Sequence, residues 1–296
     1  MLSFLKNCTL CPRNCKKDRL GGQKGFCEAI GENVKIARAD LHFFEEPPIS
    51  AQNGSGTVFF SGCPLKCSFC QNRQISFGSV GREISIEKLS QIFLNLQDKG
   101  AHNINLVTPT HYALHIIEAL KMAKNDGLNI PVIYNTSGYE KPETIALLDG
   151  YVDIFLTDFK YYDNNIAKKY SGAVDYFEYA DAALKQMVKQ TGHCVFDKNG
   201  VLQKGVFVRL LVLPFALHDA INVLSHLFSL YKNDIYYSIM NQYTPPKSSD
   251  MVELLTTLNK KDYEKVIDHA IDLGIENAFI QDEGTASESF IPPFQS

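Results

Sequence analysis

The sequence predicts an α/β fold in which about six strand–helix units form a parallel sheet that closes into a complete or partial barrel. Short, nearly continuous apolar runs rich in Val, Ile, Phe and Tyr alternate with amphipathic helical patterns along the chain. Such continuous runs are typical of parallel strands that are buried on both faces. A group of cysteines directly follows the first of these runs, at the strand end where barrels of this kind place their chemistry.

Each predicted strand is one apolar run. The strands cover residues 57–61 (TVFFS), 104–109 (INLVTP), 131–137 (PVIYNTS), 152–160 (VDIFLTDFK), 206–214 (VFVRLLVLP), 235–243 (IYYSIMNQY) and 277–281 (NAFIQ). The helices between them cover residues 85–100, 111–127, 142–150, 176–192, 218–231 and 261–274. In the first helix Leu89, Phe93 and Leu96 share one apolar stripe, Ser85 is a candidate N-cap, and Gly100 marks the end.

Composition limits the partners and the compartment of the protein. The chain has 296 residues, of which 45% are hydrophobic and 21% charged, as in ordinary globular proteins. Its net charge of -4 gives no electrostatic reason to expect nucleic acid or an anionic membrane as a partner. No apolar run approaches the roughly 20 residues of a membrane span, and the N-terminus lacks a signal-peptide core. We therefore expect a cytoplasmic protein with no membrane or nucleic-acid partner.

The chain is predicted to divide near residue 50. Residues 1–50 form a cysteine-rich segment with little periodicity, and residues 51–296 contain the strand–helix series. Pro47 and Pro48 lie at this division, and such a pair is a natural boundary.

Three cysteines follow the first strand, in the stretch GCPLKCSFCQN. Cys63, Cys67 and Cys70 are separated by three and then two residues. A closed zinc site needs four protein ligands, and a four-iron cluster held by only three thiolates keeps one iron open to another ligand. The stretch therefore predicts an iron–sulfur cluster with an open iron, and a zinc or purely structural iron site is the alternative. Phe69 lies next to Cys70 and is suited to shield the cluster or contact its ligand.

A second group of cysteines lies near the N-terminus and has four members, namely Cys8, Cys11, Cys15 and Cys27. Four thiolates complete a coordination shell, so this site is expected to be closed and to hold structural zinc, a single iron or an accessory four-iron cluster. The nearby basic residues are suited either to offset thiolate charge or simply to be solvated; they are Arg13, Lys16, Lys17 and Arg19. Cys194 stands alone and is expected to be a small buried hydrophobe.

The Cys-x3-Cys-x2-Cys stretch, with an aromatic residue before its third cysteine, resembles the radical S-adenosylmethionine (SAM) superfamily. The N-terminal stretch CTLCPRNC resembles that of a branch related to pyruvate formate-lyase activating enzymes. This resemblance implies a partial (β/α)6 TIM-like barrel of the radical SAM type with a small N-terminal cysteine-rich segment. It also implies two cofactors, a [4Fe-4S] cluster on Cys63, Cys67 and Cys70 and SAM on the open iron.

Positions matched to the family's strand ends give candidate SAM contacts. The stretches VTPTHY, YNTSG and LTDFK end the second, third and fourth strands, and the fifth and sixth strands end in VRLLVLP and SIMNQYTP. The residues that the resemblance implies for SAM binding are Thr108, Thr110, Asn135, Thr136, Asp158, Lys160, Arg209, Asn241 and Gln242.

The resemblance further implies an oxidoreductase that cleaves SAM reductively to a 5′-deoxyadenosyl radical, which removes hydrogen from a substrate. Flavodoxin or ferredoxin is the expected reductant. Similarity to glycyl-radical activating enzymes favours a protein or peptide substrate. A small-molecule substrate is the first alternative, and a non-catalytic iron–sulfur electron carrier is the second.

Overall fold

A computed structural model describes residues 2–281 and residue 294. Its strands, in chain order, are β1 (Val34–His42), β2 (Ser55–Phe60), β3 (Arg82–Ile84), β4 (Ile104–Val107), β5 (Val132–Thr136), β6 (Ile154–Asp158), β7 (Val195–Phe196), β8 (Leu202–Leu211), β9 (Tyr236–Met240) and β10 (Ala278–Ile280). They form one sheet in the order β10-β9-β8-β6-β5-β4-β2-β1-β3, with β7 beside β8. The strands from β2 to β10 along this path are all parallel. The predicted α/β fold with an open, partial barrel is confirmed.

Helices connect the parallel strands and cover the sheet. They are α1 (Pro47–Ser50), α2 (Arg73–Ser76), α3 (Ile86–Asp98), α4 (Ala113–Asn125), α5 (Pro142–Ala146), α6 (Asn164–Ser171), α7 (Tyr176–Thr191), α8 (Leu217–Tyr231) and α9 (Lys260–Leu273). Short 3-10 turns occupy Leu2–Asn7, Thr110–Tyr112 and Val252–Leu255. The Ser85 side chain accepts a hydrogen bond from the Lys88 amide, so it caps α3 as predicted. Within residues 2–281 and 294, no helix is both long and apolar enough to cross a membrane.

The predicted strands and helices each have a counterpart, and the structure adds elements whose sequence signal is weak. The helix expected over residues 142–150 is shorter in the structure and ends at Ala146. The helix α6 was not predicted, and it lies between β6 and α7. Its N-cap is Asp163, whose side chain accepts from the Asn165 amide, and its C-cap is Gly172, which has left-handed backbone geometry.

The strand β1 adds an antiparallel pair to the parallel sheet. It runs beside β2, with Asp40 opposite Thr57, and β3 pairs with its other edge. Val34, Ile36 and Ala37 are buried, while the residues of β1 from Arg38 onward are only partly buried. Residues 34–42 thus contribute to the sheet although they precede residue 50. The division of the chain into 1–50 and 51–296 stays a prediction.

The segment between β1 and β2 covers the amino ends of the parallel strands. Ile49 is fully buried against Ile133 and Ile154, which lie near the beginnings of β5 and β6. The Asn103 side chain donates a hydrogen bond to the Ile49 carbonyl at 2.8 Å. This packing closes one end of the barrel and brings Glu45 into its interior.

Candidate functional site

The loop after β2 brings three thiols to one cavity of about 240 Å³ at the carboxyl ends of the strands. Cys63 and Cys67 are buried and Cys70 is partly buried. Gly62 begins the loop with φ of +93°, a conformation that favours glycine. Its amide donates to the Ile75 carbonyl at 2.7 Å, which holds the loop against α2.

Burial makes the Cys63 and Cys70 thiols poor acids unless a cation replaces their protons. It raises the pKa of Cys63 to about 12 and that of Cys70 to about 11, and the neighbouring Cys67 thiolate adds to both shifts. Metal binding requires thiolates and releases protons, so a bound cluster would overcome this cost. Lys160 acts in the opposite direction on the Cys70 pKa and therefore favours the thiolate. The donor set and its surroundings fit a cluster held on three cysteines.

An ion-pair network lies beside the thiols in the same cavity. The register of β6 and β8 places Asp158 next to Arg209. The Arg209 Nε donates to Asp158 Oδ1 at 2.9 Å, and Lys160 Nζ donates to Asp158 Oδ2 at 2.6 Å. Burial alone would raise the pKa of Asp158, but the two cations outweigh it and hold that pKa below its usual value. Asp158 is therefore an anion between two cations.

Glu45 joins this network from the opposite end of the barrel. It accepts a hydrogen bond from Arg209 Nη1 at 3.3 Å and others from the Asn105 and Asn135 amides at 3.0 and 3.3 Å. Burial raises the pKa of Glu45, and Arg209 partly offsets that rise. The remaining guanidinium nitrogen, Nη2, donates to the Asn135 side-chain oxygen at 2.6 Å. All three nitrogens of Arg209 thus have protein partners.

The strand-end threonines share one buried carboxylate. The Thr110 and Thr136 hydroxyls each donate to Glu140 Oε1 at 2.5 Å. Glu140 is fully buried, and burial raises its pKa to about 7 despite these hydrogen bonds. Thr136 also lines the cavity, as does Thr108, which has φ of +57° and whose amide donates to the Asn135 carbonyl at 2.9 Å. Within the described chain, Thr110 is not part of the cavity lining.

The two polar residues after β9 have different positions. Gln242 lines the cavity, and its carbonyl accepts from the Gln71 side chain at 2.6 Å, so the cysteine loop is joined to the end of β9. Asn241 lies outside the lining formed by the described residues. Its amide and side-chain nitrogens donate to Gln281 at 2.9 and 3.2 Å.

Comparison with known proteins identifies a domain within the chain. Residues 57–196 match the Radical SAM superfamily. Residues 57–196 therefore correspond to a radical SAM domain. Such a domain implies a [4Fe-4S] cluster, SAM, and a reductant such as flavodoxin or ferredoxin.

Two relatives extend the likeness beyond this match. The chain is 28% identical over 278 residues to an uncharacterized protein of Methanocaldococcus jannaschii. This match covers 90% of this chain and 75% of that protein. It is 27% identical over 124 residues to the pyruvate formate-lyase-activating enzyme of Clostridium pasteurianum. This match covers 39% of this chain and 49% of that enzyme. The second likeness therefore spans about half of that enzyme.

Two solved structures share the fold. Methylornithine synthase has a TM-score of 0.51 at 15% identity, over 74% of this chain and 60% of that one. A maturase of the [FeFe]-hydrogenase, HydG, has a TM-score of 0.51 at 12% identity, over 77% and 52%. The chain spans less than two thirds of either protein, and these likenesses concern the fold alone.

One of the N-terminal cysteines, Cys27, packs directly against Gly62, which begins the Cys63–Cys70 loop. Cys8, Cys11 and Cys27 are buried and Cys15 is partly buried. Burial raises the pKa of Cys11 and Cys27 thiols, and the other thiolates of the group contribute to both rises. Of the basic residues nearby, Arg19 is buried and Arg13 is half-buried. The other two lie exposed, namely Lys16 and Lys17.

The sequence did not identify two carboxylates that the fold brings to the radical SAM domain. Glu45 lies in the stretch FFEEPPIS, whose two prolines indicate a boundary and not a site. Glu140 lies four residues after Thr136, just beyond the end of β5. An acidic residue shortly after a strand end is a detectable signal for Glu140, whereas nothing local marks Glu45.

Proposed function

We propose that the chain is an enzyme that cleaves SAM reductively at a [4Fe-4S] cluster on Cys63, Cys67 and Cys70 and abstracts hydrogen from a substrate. When bound, the cluster and SAM supply a one-electron cleavage that gives a 5′-deoxyadenosyl radical. One observation carries the proposal. The three thiols and the Asp158, Lys160 and Arg209 network face a single cavity at the carboxyl ends of the strands.

The residues of the cavity are suited to orient SAM. Lys160 uses one donor on Asp158, so its ammonium group keeps donors for a carboxylate. Arg209 is already held by three protein partners, and we propose that it acts mainly by fixing Asp158 and Asn135. The residues proposed to contact SAM directly are those of the lining: Thr108, Asn135, Thr136, Asp158, Lys160 and Gln242.

Thr110 and Asn241 are proposed to support the SAM-binding residues without contacting SAM themselves. Thr110 shares the Glu140 carboxylate with Thr136 and so helps to fix the position of that hydroxyl. Asn241 holds Gln281 beside Gln242, whose side-chain oxygen accepts from Gln281 Nε2 at 3.3 Å. Both contacts support the cavity wall.

A protein or peptide is the proposed substrate. An open groove of about 900 Å³ adjoins the cavity and shares Phe69, Cys70 and Gln71 with it, and the loop from 244 to 251 forms its other wall. Because this groove is open and much larger than the inner cavity, it supports the binding of a peptide segment. The partial likeness to a pyruvate formate-lyase-activating enzyme supports the same substrate class. A small molecule is the second candidate, because the inner cavity has only about 240 Å³.

Anaerobic reconstitution followed by incubation with SAM and dithionite tests the activity. The expected product is 5′-deoxyadenosine, measured by mass spectrometry. A Cys63→Ser/Cys67→Ser/Cys70→Ser variant should give none, and Cys194→Ser is the matched control because Cys194 lies outside both cysteine groups. No product from the fully reconstituted wild type would reject the enzyme and leave the electron-carrier alternative.

Deuterium transfer separates the two substrate classes. A lysate from cells grown in deuterated medium is divided by ultrafiltration, and each fraction is added to the reaction. Deuterium in 5′-deoxyadenosine from the macromolecular fraction supports the protein or peptide substrate. Label from the small-molecule fraction alone would reject it.

A further inference from the structure

The four N-terminal thiols gather around a tight turn. The Cys8 amide donates to the Lys17 carbonyl at 3.1 Å, so the chain returns on itself between these residues. A side-chain carbon placed on Gly25 would lie 3.2 Å from the Cys27 sulfur and 3.7 Å from the Cys15 sulfur. Gly25 therefore lies between two of the thiols, and a larger residue would crowd them.

Arg19 supplies a buried positive charge beside these thiols. It has no exposed surface, and its Nη1 lies 3.8 Å from the Cys8 sulfur and donates to the His111 carbonyl at 2.7 Å. Its Nε and Nη2 have no hydrogen-bond partner among the described residues. In residues 2–281 and 294, no carboxylate forms an ion pair with it. A buried, unpaired guanidinium is costly, so the site requires an anionic group.

Four thiolates around iron provide such a group. Among the described residues, no three His, Cys, Asp or Glu side chains are close enough to hold one metal ion. A tetrahedral zinc site with bonds of roughly 2.3 Å needs sulfurs only about 3.8 Å apart. A four-iron cluster carries its thiolates on separate irons and so accommodates a wider spacing. Its sulfides also accept hydrogen bonds, which suits the two unpaired nitrogens of Arg19.

We propose that Cys8, Cys11, Cys15 and Cys27 bind a second iron–sulfur cluster and that Arg19 balances the negative charge of this cluster. The second cluster lies directly beside the Cys63–Cys70 loop of the radical SAM domain. The second cluster rests on the proposed function and goes beyond it, because that function requires iron only at Cys63, Cys67 and Cys70.

Backbone and side-chain contacts join the two cysteine groups. The Cys27 carbonyl lies so close to Gly62 that a side chain on Gly62 would overlap it. Arg13 Nε donates to the Pro64 carbonyl at 2.7 Å, and its Nη2 donates to the Ser171 carbonyl at 2.8 Å. Arg13 thus holds the N-terminal segment against both the cluster loop and the end of α6.

His111 forms a second connection between the groups. Its carbonyl accepts from Arg19, and its ring Nε2 donates to the Ser61 carbonyl at 2.9 Å. Ser61 is two residues before Cys63. The residue that orients the charge at the second cluster therefore also supports the loop of the first.

Iron and sulfide analysis of the anaerobically reconstituted protein tests the second cluster. The expected content is about eight irons and eight sulfides per wild-type chain, and about four of each in the Cys63→Ser/Cys67→Ser/Cys70→Ser variant. Zinc without sulfide in that variant, or no metal at all, would overturn the proposal. Because this variant lacks the radical cluster, its metal content does not depend on whether the wild type cleaves SAM.

The charge role of Arg19 is tested by redox titration of the same triple variant, followed by electron paramagnetic resonance. Loss of a positive charge disfavours reduction, so Arg19→Met should lower the midpoint potential, whereas Arg19→Lys should restore most of it. Arg82→Met is the matched control, because Arg82 is exposed on β3. An Arg19→Lys potential as low as that of Arg19→Met, or no shift in either, would refute the charge role.

The adjacency is tested by the same spectroscopy on the dithionite-reduced wild type. Two neighbouring paramagnetic clusters broaden each other's signals. The wild-type spectrum should therefore differ from the sum of the spectra of the triple variant and a Cys8→Ser/Cys11→Ser variant. A simple sum would show that the clusters are far apart.

Discussion

Replacing Gly62 with alanine tests the contact that joins the two cysteine groups. Gly62 has φ of +93°, and an added Cβ would overlap the Cys27 carbonyl oxygen and lie 3.3 Å from His111 Nε2. The overlapped atom belongs to the backbone, so it moves only if the segment around Cys27 moves. Gly22 provides a control in the same segment, because its φ is +87° and no atom lies within 4 Å of an added Cβ.

The two substitutions share one cost and differ in the other. A positive φ costs an alanine about 1 kcal/mol at either position. Only Gly62→Ala adds overpacking, which typically costs about 1–3 kcal/mol in a packed interior. We therefore expect Gly62→Ala to lower the free energy of unfolding by about 2–4 kcal/mol, and Gly22→Ala by about 1 kcal/mol. The effect of alanine on the unfolded chain is the same in both and cancels in the comparison.

Urea unfolding of the two variants under anaerobic conditions, with iron content measured before each titration, provides the assay. Gly62→Ala should have the lower midpoint and should lose iron more readily on gel filtration than Gly22→Ala. Equal midpoints and equal iron contents would refute the reasoning, because they would show that Cys27 is not packed against the cluster loop.

Three further predictions concern single residues. Glu140 has a folded pKa of about 7 against an ordinary 4.5, so the stability that its protonated form contributes is complete below pH 4.5 and is lost as the pH rises through 7. This loss amounts to about 3 kcal/mol of the free energy of unfolding. When urea midpoints at pH 5 and pH 8 are compared, the loss should be absent from the Glu140→Gln variant. The exposed control Glu143→Gln should keep it, and an unchanged pH dependence in Glu140→Gln would contradict the assignment. Arg209→Lys keeps the charge but replaces only one of three hydrogen bonds, so SAM affinity should fall at least about tenfold in equilibrium dialysis; an unchanged affinity would show that the network does not support SAM. Cys194 is only partly buried, not fully buried as expected, but this burial still raises its pKa to about 11. Iodoacetamide should therefore label this thiol slowly at pH 8 and faster as the pH rises, and equal rates would contradict the raised pKa.

Local patterns in the sequence determined the strand–helix series and the three-cysteine loop. Each parallel strand is a continuous apolar run, and each long helix repeats its apolar residues on one face, so both are encoded within about ten to fifteen residues. The positions of Asp158, Lys160 and Arg209 also follow from the sequence, because the carboxyl ends of parallel strands meet at one edge of the sheet. Their hydrogen bonds are consistent with that expectation.

The tertiary structure alone decided which distant residues complete the site. Glu45 contacts Arg209 across 164 positions, and Arg13 reaches Pro64 across 51 and Ser171 across 158. The sequence left Arg19 suited either to solvent or to thiolate charge, and only the tertiary structure buries it, with its guanidinium donating to the His111 carbonyl. Periodicity describes how a segment meets the core, but it carries no information on which remote segment it meets there. That choice depends on the three-dimensional path of the chain, which places Glu45 inside the barrel and Cys27 against Gly62.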